Sequence, residues 1–132
     1  MVFYSGGHKR KTAIVGKAMD KLGEYSLLYD FYGELLTEKQ RQIYEEVKFG
    51  DLSLSEAAEI FGVSRQGVHD TVRRVEEALD QYEETLGLVR QFRAVKEKTE
   101  RIREICGKIN ALLGETDEIA EILKLTGEIE EL

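Results

Sequence analysis

Proline and tryptophan are absent from the 132 residues. Without proline nothing breaks a long helix from within, and no proline-rich linker divides the chain. The one cysteine, Cys106, excludes an internal disulfide framework and a cysteine-based zinc site, and it fits a reducing compartment. The two histidines, His8 and His69, are too few and too far apart in sequence for a metal cluster. No apolar run approaches the roughly 18–20 residues that a membrane span needs. Residues 1–18 are basic but lack the apolar h-region of a signal peptide. No glycine-rich phosphate loop with its lysine occurs, and no histidine is paired with a nucleophile. Acidic pairs such as Glu76-Glu77 and Glu83-Glu84 read as solvated helix surface, and Cys106 as core packing. The expectation is a cytoplasmic protein without a membrane span, metal or cofactor. It should work by binding rather than as an enzyme.

What is present is enough for a core. Apolar residues make up 42% and charged residues 34%, which excludes wholesale disorder. The net charge of −7 is unevenly spread. Residues 1–18, 64–75 and 90–108 carry +4, +2 and +4, whereas 19–63, 76–89 and 109–132 carry −6, −5 and −6. Only the three short basic segments can face phosphate without repulsion, so a general nucleic-acid coat protein is excluded.

Helical spacing dominates. Leu22, Tyr25, Leu28, Tyr29, Tyr32 and Leu36 recur at three and four residues, which predicts a first helix over 20–35. Thr37-Glu38-Lys39-Gln40 has the form of a capping box. It opens a second helix, with Ile43, Tyr44 and Val47 inward, that stops near Phe49-Gly50. Ser53-Leu54-Ser55-Glu56 is a second capping box, and it starts a short helix ended by Gly62. Ser64 caps a fourth helix with Val68, Val72, Val75 and Leu79 inward, running to about Leu86. A long amphipathic stretch follows with Ile102, Ile105, Cys106, Ile109, Leu112 and Leu113. Gly114 and Thr116 then mark a stop and a start before a last helix with Ile119, Ile122 and Leu123. No strand pattern or repeat is found.

The segment from Leu54 to Arg73 carries the chemistry. Two helices that cross steeply must touch closely, and Ala58 is small where they would cross. Gly62 permits the left-handed backbone of a tight turn. Val63 plugs the corner, Ser64 caps the next helix, and Val68 and Val72 pack back on the first. This is a helix-turn-helix arrangement. The outward face of its second helix carries Ser64, Arg65, Gln66, His69, Asp70, Arg73 and Arg74. Side chains in the first turn of such a helix reach base edges in the major groove. Arg65 suits guanine and Gln66 adenine, whereas Arg73 and Arg74 suit phosphate. The same fold also serves as a protein-interaction module, and Asp70 would repel phosphate. The nucleic-acid-binding candidates are Ser64, Arg65, Gln66, His69, Arg73 and Arg74.

Leu35-Leu36-Thr37-Glu38-Lys39-Gln40-Arg41, Ser53-Leu54-Ser55-Glu56-Ala57-Ala58, Val63-Ser64-Arg65-Gln66-Gly67-Val68 and Val72-Arg73-Arg74 together resemble region 4 of sigma factors. With Tyr29-Asp30-Phe31-Tyr32 ahead of them, they resemble still more closely the small bacterial YlxM (UPF0122) proteins, over roughly residues 22–113. That resemblance implies an all-α protein of the sigma region 4-like, winged-helix-like DNA-binding class, here with a long-helix extension at its C-terminal end. It implies a DNA-binding regulator encoded beside the genes for the signal recognition particle protein and its receptor, with a role in that targeting pathway. The alternative is an accessory that binds the particle's RNA or protein without reading DNA sequence. Duplex DNA, the particle RNA and the particle protein are therefore the expected partners. Residues 1–18 and 115–132 depart from the family pattern and inherit no role from it.

The expected organisation is a flexible basic arm at 1–18, a helix-turn-helix domain at 19–86 and a helical extension at 87–132. Met19 is a plausible true start, so the arm reads either as an upstream remnant or as a basic tail touching nucleic acid. The basic segment holds Arg90, Arg93, Lys96, Lys98, Arg101, Arg103 and Lys108. It reads either as a phosphate-contacting helix or as a solvated face with Glu97–Arg101 and Glu104–Lys108 pairs. A helix over residues 88–113 would be about 39 Å long. The last helix can cover only part of its apolar stripe, so a homodimer joined through residues 88–125 is expected.

Overall fold

The computed structural model of the protein describes residues 21–131. The first 20 residues, and with them the basic arm expected at 1–18, lie outside the described residues. Among the described residues the chain is helical and contains no strand. It comprises α1 (Lys21–Tyr32), α2 (Glu38–Tyr44), α3 (Leu54–Phe61), α4 (Arg65–Leu86), α5 (Leu88–Leu113) and α6 (Asp117–Glu130). Two compact units divide between Val89 and Arg90.

The helix ends follow the sequence closely. Thr37 Oγ1 accepts from the Gln40 backbone N–H at 3.2 Å, and the Gln40 side chain accepts from the Thr37 N–H at 3.0 Å. Ser53 and Glu56 form the second reciprocal pair at 3.0 and 2.9 Å. The Ser53 backbone N–H first, and the Ser53 hydroxyl second, stabilise the ionised Glu56 and hold its carboxyl below the usual range. The first helix is shorter than expected. It ends at Tyr32, and Gly33–Leu35 tighten into a 3-10 turn. Leu22, expected on the buried stripe, is exposed. The second helix ends in a π-helical turn over Glu45–Phe49, which places the Phe49 ring edge-on to Tyr44 at 5.7 Å.

α4 is the axis of the first unit, and α1, α2 and α3 all pack on it. Its apolar stripe serves two clusters. Val75 and Leu79 meet Leu28, Tyr32, Leu36, Tyr44 and Val89, while Val68 meets Ile43 and Ala57. A polar stripe runs beside the apolar one. Tyr44 donates to Glu76 at 3.0 Å, Tyr25 to Asp80 at 2.7 Å and Tyr32 to Glu83 at 2.6 Å. Burial and these carboxylate acceptors hold all three phenols well above their ordinary pKa.

Glu83 overturns the reading of the Glu83-Glu84 pair as solvated surface, because its side chain is fully buried. A buried carboxylate is tolerated only when hydrogen-bonded. Its Oε1 accepts from both the Tyr32 hydroxyl and the Val89 N–H, the latter at 3.0 Å. The Tyr32 oxygen in turn accepts from the Leu88 N–H at 3.0 Å. Between them, Tyr32 and Glu83 satisfy two N–H groups that the first turn of α5 cannot bond internally. Gly87 makes the turn possible at φ 64° by closing α4 in the left-handed region. Glu76, half-buried between Tyr44 and Lys48, likewise departs from the solvated reading.

The second unit is a helical hairpin. Thr116 caps α6 by accepting from the Ile119 N–H at 3.2 Å. α6 returns along α5, so that Glu130 meets Arg103 and accepts from the Thr99 hydroxyl at 3.0 Å. Cys106, Ile119, Thr99 and Thr126 are buried. Ile102, Ile105, Leu112 and Leu113 on α5 stay exposed, as do Ile122, Leu125 and Ile129 on α6. Arg90 and Arg93, counted above with the basic face, are buried and belong to no solvated surface.

The Tyr32 hydroxyl is a donor and an acceptor at the same buried point. Tyr32→Phe keeps the ring, takes the acceptor from the Leu88 N–H and removes one donor from Glu83. It should lower stability by about 1–3 kcal/mol, read as a fall in the denaturant midpoint.

Candidate nucleic-acid interface

The site is built by the turn between α3 and α4. Gly62 ends α3 at φ 67° and ψ 35°, a conformation that glycine adopts without a Cβ penalty. The Val63 N–H then closes on the Ala58 carbonyl at 3.0 Å. Ser64 Oγ accepts from the Gly67 N–H at 2.9 Å and fixes the start of α4. A Cβ on Gly67 would lie 3.1 Å from that same oxygen. Gly67 therefore gives up helix propensity but leaves room for the cap, a role its low propensity had concealed.

The fully buried alanine is one residue from the one that the sequence put at the crossing. Ala57, not Ala58, is fully buried, against Ile43 and Val68. Ala58 is half-buried at the edge of the same cluster. Both are small, and the spacing alone does not show which of two adjacent alanines faces inward.

With Val68 turned inward, the opposite face of α4 brings the candidates together. Ser64, Arg65, Gln66, His69, Arg73 and Arg74 are all exposed. Leu54, Arg65, Gln66 and His69 line a shallow depression. The Ser64 oxygen is occupied as a cap acceptor, which leaves its hydroxyl proton as the donor. Arg65 and Arg74 have no ion-pair partner among the described residues. Arg73 donates to Glu77 one turn on, at 2.8 Å. Such an exposed pair is worth only a few tenths of a kcal/mol, so phosphate can displace the glutamate. Asp70 was read as a repulsive charge on this face. It keeps its charge there, is half-buried and accepts from Gln66 Nε2 at 3.0 Å. The four-residue spacing of Gln66 and Asp70 was the available signal.

Among the described residues no cluster of histidine, cysteine, aspartate or glutamate could hold a metal ion. No described helix is long and apolar enough to cross a membrane.

The family described as "Putative helix-turn-helix protein, YlxM / p13 like" (UPF0122) matches residues 19–123. The chain belongs to this family. It is 44% identical over 104 residues to a UPF0122 protein of Thermoanaerobacter sp. strain X514, covering 79% of this chain and 86% of that one. A UPF0122 protein of Acetivibrio thermocellus is 43% identical over 115 residues, covering 86% and 97%. One from Caldanaerobacter subterraneus is 52% identical over 79 residues, covering 60% and 68%. No solved structure matches the chain significantly. The family's helix-turn-helix description agrees with the α3–turn–α4 geometry, and the all-helical fold accords with it.

If Ala57 is the point of closest packing, Ala57→Leu should cost about 1–3 kcal/mol by overpacking. Ala58→Leu, at the cluster edge, should cost less. Denaturant midpoints that ranked the two the other way would move the helix crossing to Ala58.

Proposed function

We propose that the protein is a DNA-binding regulator that lays the first turns of α4 in the major groove of duplex DNA. The observation that carries this reading is the exposed face of a helix capped at Ser64. Arg65, Gln66 and His69 lead on that face, with Arg73 and Arg74 two turns behind. Leading residues of a docked helix meet base edges, and trailing cations meet the backbone. No catalytic step is assigned to it.

The family resemblance supports a place in the signal recognition particle pathway, acting in the cytoplasm. The alternative partners are that particle's RNA and protein. The same variants distinguish them, because a groove-reading role predicts base preference and an accessory role does not. Titration by anisotropy against duplex DNA should show that Arg65→Ala and Gln66→Ala each lose about 1–3 kcal/mol of preference for the favoured site. Arg73→Ala should weaken all duplexes alike and flatten the salt dependence. Unchanged binding in all three variants would sink the reading, and tighter binding to the particle RNA than to any duplex would favour the alternative.

We further propose that the working form is a homodimer joined through residues 88–125. What supports this is the exposure of Ile102, Ile105, Leu112 and Leu113 on α5 and of Ile122 and Leu125 on α6. Apolar helix faces of this kind are stabilised by covering. Two-fold pairing would also present two α4 helices to two half-sites. Sedimentation at micromolar concentration should give twice the 15.1 kDa chain mass, and Ile105→Asp should return it to the single chain. A single-chain mass for both proteins would leave the hairpin as the whole structure.

A further inference from the structure

One hydrogen bond on the outward face of α4 serves neither the core nor a helix cap. Gln66 Nε2 donates to Asp70 Oδ1 at 3.0 Å. An ionised carboxylate only accepts, so the amide nitrogen must face Asp70 and the amide oxygen must face away. His69 Nδ1 lies 3.8 Å from the same oxygen, beyond hydrogen-bond reach. Gln66 is thus a side chain whose two ends, otherwise interchangeable by rotation, have been told apart.

We propose that Gln66, oriented by Asp70, is the residue that reads adenine, with Asp70 as its positioning residue; this rests on the DNA-reading function proposed above. Adenine offers the major groove an N6 amino donor beside an N7 acceptor. Gln66 Oε1 accepts from the amino group. The amide proton that Asp70 does not use donates to N7. Guanine presents two acceptors, O6 and N7, and would set O6 against the amide oxygen. Thymine presents O4 and a methyl group, and cytosine lacks the adjoining N7 acceptor. The Asp70 charge adds to the discrimination, because it stands one turn behind on the same face and disfavours acceptor-only base edges. Holding the amide in one orientation before docking also removes ordering cost from the bound state.

The test is selection of duplexes with a randomised core by the full-length chain, followed by sequencing. The wild type should enrich an A·T pair at one position. Gln66→Ala should flatten that position alone, by about 5- to 150-fold. Asp70→Ala should weaken the same position and no other, with its melting temperature within a degree or two of the parent, and Asp70→Glu should restore much of the preference. Replacing the selected adenine by 7-deazaadenine, which lacks N7, should weaken the wild type but not Gln66→Ala. If Asp70 only supported the helix, Asp70→Ala would lower the melting temperature and leave the base preference intact, which would overturn the proposal. A guanine at the position that depends on Gln66 would overturn it too. Failure of the wild type to enrich any motif would overturn the DNA reading itself, before Gln66 is at issue.

Discussion

Glu83 is the group on which the first unit depends. A fully buried carboxylate costs several kcal/mol unless its oxygens are met by donors. Here the donors are the Tyr32 hydroxyl from α1 and the Val89 N–H from the start of α5. Tyr32 passes the bonding on by accepting from the Leu88 N–H. The carboxylate thus ties the first helix of the unit, the far end of α4 and the first turn of α5 to one point. Remove it, and two interior donors, the Tyr32 hydroxyl and the Val89 N–H, lose their acceptor together. The same point explains why Gly87 interrupts the helix. A continuous helix would bond its own N–H groups at 88 and 89 and offer neither to Tyr32 or Glu83.

α4 can leave one face free of the core because its burial is settled elsewhere along its length. Val75 and Leu79, with Glu76, Asp80 and Glu83 alongside, anchor its C-terminal two-thirds to α1 and α2. The N-terminal third needs only Val68 against Ile43 and Ala57 to fix its rotation. The face bearing Arg65, Gln66 and Arg73 therefore owes nothing to the core, and side chains there can change without unfolding the unit. A site on a rigid helix holds its side chains more closely than a site on a loop does. Here the rigidity comes from the tyrosine–carboxylate stripe some four turns away.

Much of this architecture was legible because caps and turns are local. Thr37 with Gln40, Ser53 with Glu56, Gly62 and Ser64 each act within three or four residues, so the sequence shows both partners at once. The boundaries at 88 and 113 were visible for the same reason, from Gly87 and Gly114. Glu83 was hidden because its partner Tyr32 lies 51 residues away, and a glutamate pair normally means water. A signal was nonetheless present. Val68, Val72, Val75, Leu79 and Glu83 keep one helical period, so Glu83 occupies the next inward position of the stripe. On α1, Tyr25 and Tyr32 bring hydroxyls to the buried side, and buried hydroxyls require acceptors. At the site, the rotation of α4 was readable from its valines. The inward turn of Ala57 rather than Ala58 was not, since both alanines suit a close crossing.

The charge distribution sets what kind of DNA reader such a surface would be. The residues around α4 are strongly acidic, with net charges of −6 over 19–63 and −5 over 76–89. Few cations on the outward face of α4 would be available to phosphate, and Arg73 would first have to leave Glu77. Each phosphate neutralised releases counterions and steepens the salt dependence, so a protein with two or three such contacts binds random DNA weakly. Acidic flanks weaken it further. Discrimination is a difference between specific and non-specific binding, and the surface lowers the second term. Under the proposed function, the specific term would have to come from base edges, through Arg65 and Gln66, and from pairing two such helices on one duplex. One copy of the helix offers too few contacts to reach the usual specific affinities of about 10⁻⁸–10⁻¹¹ M. Two copies held at fixed spacing gain the second set of contacts at little further translational cost. If the proposed dimer forms, the acidic surface would suppress binding by a lone helix and pairing would restore it at the specific site.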